Sequence, residues 1–386
     1  MAVERAYLDH NASAPLRESA RSAMVDALAA ANPSSVHAEG RAARAIVEDA
    51  RRGVAALVNA KPDHVAFTSG ATEAASTLLS PGWRMGRGAV RMSHLYVCAS
   101  DHPCLLGGGR FDGAAVTRVG VDRNGVIDLG ALEAALAGHE KDDGLPLVAL
   151  HHANNETGVI QPVDEVSRIA RAAGAVIVLD AVQAVGRIPV EISAGYADYL
   201  ILSSHKIGGP KGVGAIVAAS DLMMPLPLVT GGGQEKGHRA GTENVAGIAG
   251  FGAAARETLA ELPHVESIRE RRDSIEEHLR ASDSAVEIFG VGASRLPNTT
   301  FFALPGIKAE TAQIAFDLAG VALSAGSACS SGKVGPSHVL KAMGFGDRAG
   351  ALRVSIGVST TDKDVELFKA ALAGILSRRP EVTRAA

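Results

Sequence analysis

Short apolar runs alternate with amphipathic stretches through the middle of the chain. Runs rich in Val, Ile and Leu and bounded by turn residues predict strands over 64–70, 94–100, 145–152, 175–180, 199–204 and 214–219. These runs are apolar on both faces, which is typical of a parallel or mixed sheet covered by helices. Segment 163–173 has helical spacing and ends at Gly174, as a helix C-terminus often does. The alternation predicts a doubly wound α/β fold.

The pattern changes after Thr230. A glycine-rich loop, TGGGQEKGHRAGTEN, precedes a charge-rich helical stretch over 245–281, and the chain from residue 285 onward again mixes strands with helices. A length of 386 residues suits two or three domains. We therefore expect a large α/β domain and a smaller α+β domain, formed respectively by 15–250 and by 1–14 with 251–386.

Composition narrows the class of protein. Hydrophobic residues make up 47% of the chain, and the formal net charge of −4 offers no electrostatic reason to bind nucleic acid or a membrane surface. No apolar run reaches the roughly 20 residues that span a bilayer, and the N-terminus lacks the apolar core of a signal peptide. The cysteines match neither a disulfide framework nor zinc spacing: Cys98, Cys104 and Cys329. We expect a cytoplasmic protein with reduced thiols and no metal.

Polar or ionisable residues follow five of the predicted strands. A desolvated lysine such as Lys206 can condense with an aldehyde. A carboxylate such as Asp180 can pair with a protonated ring nitrogen, and Gln183 lies near enough in sequence to donate to a ring oxygen. Carboxyl ends of strands in a doubly wound sheet meet in one crevice. We therefore expect these five residues to lie together: Thr72, His102, Asn154, Asp180 and Lys206.

Each residue also has a simpler interpretation. Lys206 could be a solvated loop lysine, Asp180 a helix N-cap, and His102 a surface histidine. Thr72 begins a helix after Gly70, which is common, although such a start also binds anions. The amides in NNETG (154–158) fit turn chemistry. Taken together, an amine, a ring-nitrogen partner, an anion cradle and a stacking imidazole indicate a pyridoxal phosphate site.

Cys329 lies in SAGSACSSG (324–332), among small and polar residues. A structural cysteine behaves as a small hydrophobe and prefers apolar neighbours. Cys329 has none close in sequence, so its position is either incidental or functional.

The quoted motifs resemble those of the cysteine desulfurases, in the class V aminotransferase group of fold-type I pyridoxal-phosphate enzymes. The resemblance covers nearly the whole chain. It includes, in order, YLDHNASAPL, FTSGATE, HHANNETGVIQPV, LDAVQAVGRIPV, SSHKIGGPKGVGA, SAGSACSSG and LRVSIGVSTT. The surroundings of Cys329 are similar to those of group I, the nitrogen-fixation and iron–sulfur-cluster type. Asp101 and Cys104 stand where the family more often has Glu and Ala.

The resemblance implies a role for individual residues. Lys206 would bind the cofactor covalently, Asp180 would pair with its ring nitrogen, and His102 would stack on the ring and transfer protons. Cys329 would be the nucleophile that accepts sulfur. Further implied ligands are Gln183 and Asn154 for cofactor oxygens, Thr72, Ser203 and His205 for the phosphate, Thr242 for the phosphate of the second subunit in a homodimer, and Asn155 with Arg353 for the substrate carboxylate.

The implied activity is removal of sulfur from L-cysteine, giving L-alanine and a persulfide on Cys329. The persulfide would pass to an acceptor protein, either an iron–sulfur scaffold or a sulfurtransferase, and we expect a mobile loop over 324–333. One alternative is another class V enzyme, such as a selenocysteine lyase or an aminotransferase, and Cys329 argues against it. A second alternative is a non-catalytic sulfur-trafficking subunit, which the presence of Lys206, Asp180 and Arg353 disfavours.

Overall fold

The computed structural model describes residues 5–325, 336–346 and 351–378. Over these ranges the helices are α1 (Glu18–Ala27), α2 (Ala38–Leu57), α3 (Ala71–Leu78), α4 (Pro103–Leu106), α5 (Leu129–Ala137), α6 (Val163–Ala172), α7 (Val245–Glu261), α8 (Glu266–Ser282), α9 (Ala309–Leu318), α10 (His338–Ala342) and α11 (Asp362–Ser377). No helix in these ranges is both long and apolar enough to cross a membrane.

The strands over the same ranges are β1 (Ala6–Tyr7), β2 (Val65–Thr68), β3 (Gly82–Met85), β4 (Gly88–Cys98), β5 (Val116–Val119), β6 (Leu145–His151), β7 (Val176–Asp180), β8 (Tyr199–Ser203), β9 (Gly214–Ala218), β10 (Met223–Pro225), β11 (Glu287–Ile288), β12 (Thr299–Ala303), β13 (Val321–Ala322), β14 (Ser324–Ala325) and β15 (Leu352–Ser355).

The larger sheet has the strand order β10-β3-β4-β6-β7-β8-β9-β2, and β5 pairs with the second half of β4. Strands β5, β4, β6, β7 and β8 are parallel, whereas β9 is antiparallel to both β8 and β2. Because β9 is antiparallel to both of its neighbours, β2 runs in the same direction as β8. The carboxyl ends of β2, β4, β6, β7 and β8 therefore lie at one edge of the sheet.

Helices cover both faces of this sheet. One apolar cluster packs α1, α2, α5, α6 and α7 against one face, and a second packs α3 and α4 against the other. Residues of β6 alternate between them, since Val148 and Leu150 belong to the first cluster while Leu147 and Ala149 belong to the second. The doubly wound mixed sheet expected from strands apolar on both faces is confirmed.

A smaller sheet, of order β11-β12-β15-β14, packs with α8, α9 and α11 around a separate apolar cluster. The N-terminal segment joins it, because β1 pairs with β13 and Leu8 is buried in the same cluster. The predicted boundary at residue 250 falls inside α7. Phe251, Ala254 and Ala255 pack in the larger core. The division into two domains stays a proposal, and the packing favours a boundary after α7.

Candidate active site

A cavity of about 570 Å³ lies at the carboxyl ends of the parallel strands. Eight residues predicted from the sequence line it: Thr72, His102, Asn155, Asp180, Gln183, Ser203, His205 and Lys206. Five further polar residues line it that the sequence patterns did not indicate: Ser13, Ser69, Glu73, His151 and Lys211. The topology therefore brings together most of the predicted site.

Lys206 ends a single 3-10 turn that follows β8. Its Nζ donates to the main-chain oxygens of Asn11 at 2.6 Å and Ala12 at 3.0 Å. Asn11 is itself fixed, because its Nδ2 donates to Thr299 Oγ1 and its Oδ1 accepts from Asn298. The N-terminal segment thus holds the amine at the cavity wall. The motif YLDHNASAPL signalled this segment, although no residue of it was assigned a role.

Asp180 ends β7 and is buried beside the cavity. Among the described residues, its carboxylate accepts a hydrogen bond from the N–H of Val182 at 3.0 Å. Burial raises the pKa of Asp180 to about 6, and the negative charge of Asp101 adds to the shift. A buried carboxylate with this little hydrogen bonding is stabilised by a cationic partner.

Gln183 lies one turn after Asp180 and is also buried. Its Nε2 donates to the main-chain oxygen of Asn11 at 3.0 Å, and its Oε1 has no hydrogen-bond partner in the described part of the chain. Unpaired buried amide oxygens are uncommon in folded proteins. The orphaned oxygen leaves room for a ligand hydroxyl at this position.

His102 precedes the short helix α4, and its Nδ1 accepts from the N–H of Cys104 at 3.2 Å. Burial, with the charge of Lys206, lowers the pKa of His102 to about 4. The imidazole is therefore neutral near pH 7, with its proton on Nε2. Burial also raises the pKa of Cys104, so this cavity thiol stays protonated.

The predicted phosphate end of the cavity is built around the N-terminus of α3. Gly70 precedes the helix, and no side chain caps it, so its first N–H groups are available to an anion. Gly214 begins β9 directly against this turn, where a Cβ would lie 2.7 Å from the Cα of Gly70. His205 Nδ1 lies 3.3 Å from Ser13 Oγ, and burial with the charge of Lys206 lowers the pKa of His205 to about 4.

Asn154 and Asn155 differ in their surroundings. Asn154 does not line the cavity: its Nδ2 donates to Ser100 O, and its Oδ1 accepts from the N–H groups of Glu156 and Thr157. These bonds favour the turn interpretation that the sequence left open. Asn155 does line the cavity.

Arg353 is buried in β15 and does not line the cavity. Its Nη2 pairs with Asp9 Oδ1 at 2.7 Å and its Nη1 donates to Asn155 O at 2.9 Å, whereas Nε has no partner among the described residues. The Arg353 guanidinium thus contacts Asn155, which lines the cavity, but it is already paired with the carboxylate of Asp9. Its role as a substrate clamp stays a prediction.

Two more predicted residues, Thr242 and Cys329, are not placed in the cavity. Thr242 is exposed and lines a separate cavity of about 230 Å³, which shares Ser69 and Gly212 with the larger one. Cys329 lies outside the described residues, as does most of the segment 324–333 predicted to be mobile. Its first two residues, Ser324 and Ala325, are buried in β14, which pairs with β15.

Comparison with known proteins identifies the family. The family model for aminotransferase class-V matches residues 6–368. A cysteine desulfurase of Frankia sp. (strain EuIK1) is 41% identical over 379 residues, covering 93% of this chain and 88% of the relative. The chain belongs to the cysteine desulfurases of the class-V aminotransferase family.

Solved structures agree with this family. The NifS-like protein from Rickettsia africae ESF-5 is 30% identical, with a TM-score of 0.87 over 97% of this chain and 100% of that one. SspA in complex with cysteine is 26% identical, with a TM-score of 0.73 over 92% of this chain and 100% of that one. The family resemblance and the fold type expected from the sequence are both confirmed. Cysteine desulfurases are pyridoxal-phosphate enzymes, and the cavity fits that cofactor through Asp180, the orphaned Gln183 oxygen and the uncapped α3.

Proposed function

We propose that the chain removes sulfur from L-cysteine, with pyridoxal 5′-phosphate bound in the large cavity, and that Cys329 receives the sulfur. One observation carries the proposal: Lys206, Asp180 and His102, predicted from three separate strand ends, line the same cavity. An amine, a buried carboxylate and a neutral imidazole at one cavity are the groups that this chemistry needs. The complex of the related SspA with cysteine supports the choice of substrate.

In this proposal the cofactor is held at both ends. Lys206 would hold its aldehyde group covalently, and the carboxylate of Asp180 would pair with its ring nitrogen. The N–H groups at the start of α3 hold the phosphate with the hydroxyls of Thr72 and Ser203. When bound, the cofactor accepts the electron pair released at the reacting carbon of the substrate.

The chain's own residues then bind the substrate and move its protons. Two carbonyl oxygens hold Lys206 Nζ at the cavity wall, and once released as a free amine it would take up a proton from the substrate's α-carbon. The neutral imidazole of His102 donates from Nε2, because Nδ1 is occupied by Cys104 N–H. Asn155 and Arg353 bind the substrate carboxylate.

Cys329 carries out the sulfur transfer. Its thiolate attacks the substrate sulfur, so that an S–S bond forms while the carbon–sulfur bond breaks. The carbon gains a proton and leaves as L-alanine, and the enzyme keeps the sulfur as a persulfide. Cysteine and one enzyme thiol thus become alanine and one enzyme persulfide, with no external oxidant.

We propose that the persulfide passes to an acceptor protein, an iron–sulfur scaffold or a sulfurtransferase, in the cytoplasm, where thiols stay reduced. We also propose a homodimer in which Thr242 reaches the partner's site. The sequence SAGSACSSG has only small and polar residues around Cys329, which supports transfer of its sulfur to a partner.

The first test is the product formed without and then with a reductant. Without it, the wild-type protein is expected to release alanine from L-cysteine and to gain one sulfur atom on Cys329, measured by peptide mass spectrometry; with it, sulfide is released. Cys329→Ala is expected to abolish both the sulfur adduct and the reductant-dependent sulfide release. Cys98→Ala is a matched control, since burial raises the pKa of Cys98 to about 12 and keeps it a thiol. Full sulfide release by Cys329→Ala would refute the persulfide step, and a persulfide formed by Lys206→Ala would refute the role of Lys206.

A further inference from the structure

Three buried side chains beside the cavity form one line of hydrogen bonds. Asp101 follows β4, His151 ends β6 and Gln161 follows the next turn. His151 Nδ1 lies 2.5 Å from Asp101 Oδ1, and its Nε2 lies 3.0 Å from Gln161 Nε2. All three residues are at most 3% exposed. Neither Asp101 nor Gln161 lines the cavity, whereas His151 does.

The hydrogen bonds fix which nitrogen of His151 carries the proton. Gln161 Oε1 accepts from Ile127 N–H at 2.9 Å and its Nε2 donates to Gly125 O at 2.9 Å, which sets the orientation of the amide. His151 Nε2 therefore accepts from Gln161, and Nδ1–H donates to Asp101. Each ring nitrogen of His151 therefore has one hydrogen-bond partner, Asp101 for Nδ1 and Gln161 for Nε2.

The same arrangement favours a negative charge on Asp101. Its carboxylate accepts from the N–H of Cys98 at 2.8 Å, from the N–H of His151 at 2.8 Å and from the His151 ring. Three N–H donors that converge on one carboxylate stabilise the ionised form. Cys98, Asp101 and His151 also place potential metal-ligand atoms within 4.8 Å of one another. These atoms are engaged in hydrogen bonds and Cys98 is a neutral thiol, so the cluster is a hydrogen-bonded network.

This network lies beside Asp180. His151 and Asp180 are register partners on the adjacent parallel strands β6 and β7. The titratable groups that act on Asp180 are Asp101 from the loop after β4, His151 from β6 and Lys206 from the turn after β8. In turn, Asp180 and Asp101 both raise the pKa of Cys104 in α4. Two carboxylates therefore share this end of the cavity, and the imidazole of His151 is hydrogen-bonded to one of them.

We propose that His151 is a positioning residue that holds ionised Asp101 behind Asp180, so that both carboxylates favour a protonated ring nitrogen on the bound cofactor. The inference rests on the proposed function. The negative charge of Asp101 makes Asp180 harder to ionise, which agrees with the raised pKa of Asp180. Once a protonated ring nitrogen lies against Asp180, the negative charge of Asp101 attracts that nitrogen as well. The attraction is strong because the site is buried.

The test compares two probes that differ at the ring nitrogen. Apo-protein is titrated with pyridoxal 5′-phosphate and with its 1-deaza analogue, in which a C–H group replaces that nitrogen, and the ratio of the two dissociation constants is measured. Wild type is expected to favour the natural cofactor. Asp101→Asn and His151→Leu are expected to reduce that preference by about tenfold, equivalent to one pKa unit of interaction. His151→Gln, which can donate to Asp101 and accept from Gln161, is expected to retain it.

The outcomes separate this inference from the proposed function. Equal affinity of wild type for the two probes, or no binding of pyridoxal phosphate, would contradict the proposed pairing of Asp180 with the ring nitrogen. A wild-type preference that Asp101→Asn leaves unchanged would overturn the role of Asp101. Weaker binding of both probes by the same factor would indicate a purely structural role and would also overturn it. Because Asn is nearly isosteric with Asp, the ratio can be measured even if His151→Leu fails to fold.

Discussion

Glu156 is a buried carboxyl group in the turn that follows β6. Burial raises its pKa to about 7, although a hydrogen bond from Ser337 Oγ at 2.5 Å and the charge of Arg353 act in the opposite direction. Between its ordinary pKa of 4.5 and about 7, the folded protein retains a proton that the unfolded chain has released. The group's favourable contribution is therefore present below pH 4.5 and is lost as the pH rises through 7.

Glu156→Gln is accordingly expected to stabilise the fold more at high pH than at low pH. The amide keeps an acceptor for Ser337 and removes the cost of burying a charge. The difference in free energy of unfolding between the variant and wild type is expected to grow from pH 5 to pH 7 by roughly 2 kcal/mol and then to level off. Thermal unfolding midpoints of both proteins at pH 5, 6, 7 and 8 would measure it. A difference that is constant across this range, or that shrinks with pH, would contradict the burial argument.

The place of a residue in the cavity could be predicted from the sequence where one strand alone decides its position. Lys206, Asp180 and His102 each follow a recognisable apolar run, and parallel pairing brings such ends together. Asn154 and Arg353 depend on partners far away in sequence. The amide of Asn154 is hydrogen-bonded to Ser100 and to its own turn. Arg353 pairs with Asp9, which is 344 residues away in sequence. The place of His151 in the site could not be predicted, because a histidine at the end of a strand does not reveal its hydrogen-bond partners.

At the level of elements, the glycine-rich loop after Thr230 is attached to the larger sheet by a buried ion pair. Arg51 of α2 contacts Glu235 through Nη1–Oε2 at 2.6 Å and Nη2–Oε1 at 2.9 Å. Glu235 also accepts from Phe67 N–H at 2.8 Å, and the Arg51 guanidinium lies 4.9 Å from the Phe67 ring centre. Breaking a buried pair by removing one partner is costly, because the other charge stays buried.

Glu235→Ala is therefore expected to destabilise the protein by about 3–5 kcal/mol. Lys236→Ala is the matched control, since Lys236 has the same left-handed backbone and its ion pair with Asp63 is exposed. Its loss is expected to cost at most about 1 kcal/mol. The double variant Arg51→Met/Glu235→Ala is expected to recover part of the loss, because no buried charge remains. The midpoints of thermal unfolding of these variants measure the effect. Equal midpoints for Glu235→Ala and Lys236→Ala would contradict a stabilising role of the buried ion pair.

Secondary structure could be predicted where apolar runs are long. β6, β7, β8 and β9 each begin or end within one or two residues of the predicted range. β4 extends back to Gly88, well before the predicted start at 94, because its first half pairs with β3 in an antiparallel hairpin. The two-residue strands β1 and β13 exist through pairing of Ala6 with Val321. Such pairing is long-range, and no local pattern encodes it.

At the scale of the whole molecule, Thr242 is proposed to contribute to the phosphate site of a second copy of the chain. Thr242 is exposed here, but it shares a cavity with Ser69 and Gly212, which also line the cofactor cavity of its own chain. Both a contact within the chain and a contact across a homodimer are compatible with that position. The two arrangements differ in which polypeptide completes each site, and a mixed dimer separates them.

Mixed dimers of Lys206→Ala and Thr242→Asp subunits are expected to be active. Each parent homodimer is expected to be nearly inactive, since the first lacks the amine and the second places a negative charge against the cofactor phosphate. If Thr242 acts across the dimer, the mixed species has one intact site, with Lys206 from one chain and Thr242 from the other. Differently tagged subunits, co-expressed and purified through both tags, are expected to give about half the wild-type rate of alanine formation.

The matched control is a mixed dimer of Lys206→Ala with Asp180→Ala. Both of these residues line the same cavity of one chain, so each site of that dimer lacks one of them and stays inactive. Activity in the first mixed dimer and not in the second would place Thr242 in the partner's site. An effect of mixing the subunits that did not depend on which residue was changed would act on both mixed dimers alike. An inactive first dimer would place Thr242 in its own chain's site, and a fully active Thr242→Asp homodimer would remove it from the phosphate site altogether.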